Sequence, residues 1–159
     1  MTALLLGLGF ERVTAFELGP DFDKLQADFS GLPSVTLRKA ALGHVHNQMV
    51  WFGGVTAGKT PKLWYADAER PGNVRMVRFD DEFPSAVVDL VKLDVECGEL
   101  NAIKGMTETL LANRPVVVCE TADWFPPAQM RITRQPLFDY MIALGYEVAA
   151  RFKGETVWV

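Results

Sequence analysis

At 159 residues, with 49% hydrophobic and 23% charged side chains, the chain is long enough to bury a core as a single domain over 1–159. Its net charge of −4 argues against nucleic-acid binding as the main activity, and no apolar run is long enough to span a bilayer. Met1–Leu8 is too short for a secretory signal and lacks a basic start, and the two cysteines, Cys97 and Cys119, complete neither a disulfide framework nor a structural zinc site, so a soluble cytoplasmic protein is expected.

Thr2–Gly9 is short, apolar and ends on glycine, which suits the last turns of a helix with a glycine stop, a strand being the alternative. Arg12–Glu17 reads as a buried strand that ends in a carboxylate. Leu18-Gly19-Pro20 breaks it, and Asp21–Phe29 carries a helical spacing through Phe22, Leu25, Gln26 and Phe29. Gly31-Leu32-Pro33 is a turn, and Val35–Ala41 is the next strand, closed by Gly43.

The pattern changes between residues 44 and 84. Met49–Phe52, Lys62–Tyr65 and Val74–Phe79 are short strand candidates separated by glycine and proline, an antiparallel excursion within the domain. Val87–Glu99 then runs from β-rich apolar residues into the carboxylates Asp94, Glu96 and Glu99. Open α/β sheets bind ligands beyond the carboxyl ends of their parallel strands, so these acids are expected at the mouth of a crevice.

Leu100, Ile103, Met106, Leu110 and Leu111 form a helical stripe that stops at Arg114-Pro115. Val116–Glu120 reads as a second fully buried strand, again ending in a carboxylate. Trp124–Pro127 is a proline-stiffened loop, and Leu137–Leu144 is a helix stopped by Gly145. Tyr146–Phe152 and Thr156–Val159 are strands joined by the hairpin-length turn Lys153-Gly154-Glu155. This order predicts an α/β sheet, mostly parallel, with an antiparallel C-terminal hairpin.

Five segments now carry a resemblance: Val13–Pro20, Ala40-Ala41-Leu42-Gly43, Val91-Lys92-Leu93-Asp94-Val95-Glu96-Cys97-Gly98-Glu99, Lys104-Gly105, and Arg114-Pro115 to Glu120. In order and spacing they resemble the motifs of FkbM-type methyltransferases, from Arg12 to the end of the chain. The resemblance implies a class I Rossmann-like fold and S-adenosylmethionine as cofactor. It also implies O-methylation of a sugar, glycan or other small metabolite.

Carried onto this chain, the resemblance makes Glu17 the acceptor of ribose hydroxyls and lets Ala41 and Leu42 border the adenine. Asp94 falls near cofactor and acceptor, with Asp94 and Glu96 the candidate catalytic carboxylates, and Glu120 and Trp124 lie where acceptor-binding loops usually sit. Plainer roles stand beside these: a solvent-facing acid for Glu17, packing for Ala41 and Leu42, a loop anchor for Trp124, and helix-start chemistry for the acids after the strand. For Glu99 the helix-start role is preferred. His44 and His46 read as solvated turn residues, with no metal site expected, and both cysteines as small buried hydrophobes.

The chain departs from the family pattern in two places. An acidic strand and a glycine-rich loop usually precede the Phe-Glu strand, which here begins at Arg12, so that first strand and its loop are expected to be missing. Gly7-Leu8-Gly9 lies too close to Phe16-Glu17 to leave room for a crossover helix. Cys97-Gly98 stands where the family commonly has glycine followed by a small or polar residue. Without a strand between the Glu17 and Asp94 strands, two sheet edges are left open. A fragment or truncated descendant is the preferred explanation; a second chain in the gap, as in a homo-oligomer, and a degenerate substitute near Met1 are the others. A catalytically silent binding module that uses those edges is the rival function. A nicotinamide-dinucleotide binder lacks its Gly-x-Gly-x-x-Gly fingerprint.

Overall fold

The computed structural model describes residues 1–19, 21–53, 62–65, 71–95, 98–121 and 127–159, with backbone alone at 62–65 and 127–133. It is an α/β protein. Helix α1 (Thr2–Gly7) leads into β1 (Val13–Phe16), α2 (Asp21–Phe29) and β2 (Val35–Arg38). β1 and β2 pair in parallel, Val13 opposite Val35 through Phe16 opposite Arg38. The expected strand Val35–Ala41 is split: β2 stops at Arg38, and β3 (Ala41–Leu42) leaves β1–β2 to pair in parallel with β6 (Val74–Val77).

The excursion is a four-stranded sheet in the order β3-β6-β4-β5, with β4 (Gln48–Gly53) antiparallel to both β5 (Lys62–Tyr65) and β6. β6 ends at Val77, short of the expected Phe79, because Phe79 begins the short helix α3 (Phe79–Glu82). Buried Val50, Met76 and Ala41 form the small core beneath it.

The larger core lies under the sheet β7-β8-β10-β9. β7 (Leu90–Leu93) and β8 (Val116–Glu120) are parallel; β10 (Glu155–Trp158) runs antiparallel between β8 and β9 (Val148–Phe152). Burial alternates along β7 and β8, so neither is the fully buried strand its apolar run suggested. Val91, Leu93, Val117, Cys119 and Trp158 face the helices, while Val116 is 38% exposed on the other face. Such alternation is the mark of a sheet covered on one side. Trp158, with no exposed surface, meets Phe138 edge-on at 4.6 Å, a geometry worth about 1 kcal/mol beyond area burial.

The expected helical stripe after Asp94 is two helices, α4 (Glu99–Lys104) and α5 (Thr107–Asn113), broken at Gly105-Met106. An added Cβ at Gly105 would overlap the Gly43 carbonyl, so only glycine permits this approach of α4 to the end of β3. Arg114, left-handed at φ 51°, ends α5, and its guanidinium donates to the Leu144 and Gly145 carbonyls where α6 (Pro127–Ala143) stops. In the closing hairpin Lys153 and Gly154 both have positive φ, 47° and 86°, as a two-residue turn matched to strand twist requires. Among the described residues β1–β2 and β7–β8 are separate units with no strand joining them, and no helix is long and apolar enough to cross a membrane.

Candidate functional site

Glu17 follows β1 directly. Its Oε1 accepts from the backbone N–H groups of Leu18 at 2.7 Å and Gly19 at 2.9 Å, which bends the chain and fixes the carboxylate against its own turn. Among the described residues Oε2 has no hydrogen-bond partner. The ring of Phe52, on β4, borders the same turn: it lies 3.9 Å from where a Cβ on Gly19 would stand. Phe16, one residue earlier, packs against Phe79 and Phe83 at 6.3 Å, which seats the end of β1 on the core shared with β7.

Ala41 is 3% exposed, opposite Met76, and Leu42 is half-buried against the larger core. Gly43 continues the pairing by donating to Val77, and an added Cβ there would overlap the Met76 side chain. The Ala41-Leu42-Gly43 and Lys104-Gly105 motifs thus meet backbone to backbone.

Asp94 is exposed at the end of β7. Leu93 is in register with Cys119, so Asp94 and half-buried Glu120 leave neighbouring strands at the same level. Glu99 does not stand at a crevice mouth. It is 6% exposed, and its Oε1 accepts from the Val95 N–H at 3.1 Å, holding the loop between β7 and α4. Glu96, Cys97 and Trp124 lie outside the described residues.

Cys119 is fully buried, and burial pushes its thiol up to about 12, with the Glu99 and Glu155 carboxylates adding and Lys92 opposing. It stays a neutral thiol at physiological pH. His44 is exposed; His46 Nδ1 accepts from the Arg78 N–H at 3.4 Å and lies 3.6 Å from Asp81. Among the described residues no group of three or more His, Cys, Asp or Glu side chains is placed to hold a metal ion.

Sequence reasoning passed over Asp80. At 5% exposure in α3, it accepts from the Glu108 N–H at 2.9 Å, the Thr109 N–H at 3.0 Å and the Thr109 hydroxyl at 2.7 Å. It caps α5 across the fold, and its own N–H donates to the Gly105 carbonyl at 3.1 Å. The acidic run Asp80-Asp81-Glu82, just after a strand, was the available signal of a helix start.

The architecture is similar to the crystal structure of the methyltransferase FkbM from Methylobacillus flagellatus KT, with a TM-score of 0.65 at 14% identity. The match covers 99% of this chain and 39% of that one, so the chain spans well under half the length of the structure it resembles. No curated protein sequence matches the chain. The family model of the methyltransferase FkbM domain matches residues 11–148, from the strand before Glu17 into the closing hairpin. The chain belongs to the FkbM methyltransferase domain family.

Proposed function

We propose that this chain supplies cofactor- and acceptor-binding parts of an S-adenosylmethionine-dependent O-methyltransferase acting on a sugar or other small metabolite. The observation that carries the reading is the match of the family model over 11–148, which includes both Glu17 and Asp94 at their strand ends. Glu17 fits a ribose: one oxygen is tied down by the turn, so the carboxylate is oriented in advance, and the other is left to accept hydroxyl donors. Ala41 and Leu42 border the adenine end through backbone and apolar contact.

When bound, S-adenosylmethionine supplies an electrophilic methyl group on a sulfonium. Asp94, exposed at the end of β7, would orient the acceptor hydroxyl and take its proton, and the transfer would break the methyl–sulfur bond, with S-adenosylhomocysteine as the leaving group. By the resemblance alone, Glu96 is the second candidate catalytic carboxylate, and Glu120 and Trp124 are the candidate acceptor-binding residues.

Calorimetric titration with S-adenosylmethionine and S-adenosylhomocysteine tests the reading. Binding is expected, weakened by about ten-fold or more in Glu17→Gln, the loss of a charge-assisted hydrogen bond. In Asp94→Asn, methyl transfer should fall while binding persists. A folded chain that binds neither cofactor form would select the silent partner-binding module instead.

A further inference from the structure

Beyond Asp94 and Glu120, the same edge of the C-terminal sheet carries an open cleft of about 140 Å³, lined by Thr121, Arg134, Arg151, Lys153, Gly154 and Glu155. Its charge is opposite to that of the molecule. The chain carries −4, yet among the described residues this lining has three cations and one carboxylate. One oxygen of that carboxylate is engaged, Glu155 Oε1 lying 2.9 Å from the Lys92 ammonium, while Oε2 is buried without a hydrogen-bond partner among the described residues.

Elsewhere Arg38, Lys39, Arg75 and Arg78 each have a carboxylate within 4.0 Å. Among the described residues Arg151 and Lys153 have none. The guanidiniums of Arg134 and Arg151 lie 5.4 and 4.7 Å from the centroid of the Phe138 ring, and that ring is fixed in the core against Trp158. Cations gathered at one cleft repel one another, and an anion between them relieves the repulsion. A guanidinium held on a fixed ring gives up little freedom when it binds a planar or tetrahedral oxyanion.

We propose that this cleft binds a phosphate or carboxylate group of the methyl acceptor, making the acceptor an acidic, sugar-like molecule. The assignment to the acceptor rests on the methyltransferase reading above. The strand order β7-β8-β10-β9 sets the spacing. With strands about 4.8 Å apart, the cleft lies about 10–14 Å along the edge from Asp94, the length of two to three sugar rings. The acidic group therefore sits that many rings away from the hydroxyl that is methylated.

The full chain is titrated with two acids and their neutral parents, trehalose 6-phosphate against trehalose and lactobionate against lactose, following backbone amide shifts. An acid should perturb Thr121 and Gly154 and bind about ten-fold more tightly than its parent. The phosphate and carboxylate arms tell which oxyanion is taken. The double variant Arg151→Gln, Lys153→Gln should erase the preference with little change in melting temperature, since both side chains are exposed. If that variant unfolds, Lys153→Gln alone gives the same reading at smaller amplitude.

Equal affinity for acid and parent, no saturable binding of either acid, or acid binding unchanged in the variants would overturn the proposal. Failure of the cofactor titration alone would remove the acceptor assignment and leave an anion site. Cofactor binding with no acid preference would leave the methyltransferase reading and remove the site.

Discussion

Asp80 shows how much one buried carboxylate does for the segment carrying the site. An ionised group at 5% exposure is costly unless its oxygens are used, and both of these are, on the first turn of α5. The start of a helix carries unsatisfied N–H groups and partial positive charge, so the carboxylate and the helix satisfy each other. Asp80→Asn should therefore lower stability by about 2–3 kcal/mol, read as a shift of the urea midpoint at constant slope. A variant as stable as the parent would show that the cap is dispensable. The partners lie 28 and 29 residues along the chain, which is why local pattern could not reveal them. Glu17 and Glu99, by contrast, take partners one, two and four residues away, within the span of a local pattern. What Glu17 Oε2 does depends on a ligand, which no spacing of residues specifies.

Strands, hairpin and helix stops were mostly legible at the element level, since each is written in local chemistry. The apolar runs ending in acids gave β1, β7 and β8, and Lys153-Gly154 gave the closing turn. The break between α4 and α5 was not. Leu100, Ile103, Met106 and Leu110 keep helical periodicity straight through Gly105, whereas the break comes from a tertiary approach to Gly43. Likewise, β3 separates from β2 because its partner is β6, a choice made by the sheet. Gly105→Ala should cost roughly 2–3 kcal/mol, because a backbone carbonyl cannot swing aside as a flexible side chain can. Gly7→Ala is the control: a Cβ there meets nothing within 4 Å, so a gain of a few tenths to about 1 kcal/mol is expected from helix propensity. Equal effects at the two glycines would mean that the Gly43–Gly105 crossing yields easily, and that the two motifs are not locked together.

The whole molecule is unevenly held. β8 and β10 each have strands on both sides and a buried face, whereas β1–β2 is a two-stranded parallel sheet seated on the core through Phe16. Two-stranded sheets are marginal in water, so β1–β2 depends on its packing more than on its ladder. The arrangement of sheets could not be read from the chain, because periodicity identifies strands without stating which edges meet. Hydrogen exchange gives the last prediction. Amides bonded between β8 and β10 should exchange only with global unfolding, while those of β1 and β2 exchange through local opening, about ten-fold faster or more. If β1–β2 is as protected as β8, something else must cover its edge, and the dependence on protein concentration tells what. Protection that falls on dilution would mean a second copy of the chain pairs there, as the open-edge homo-oligomer expectation requires. Protection independent of concentration would place the covering contacts within one chain, and the Glu17 turn would then be firm enough to orient a ribose before any ligand arrives.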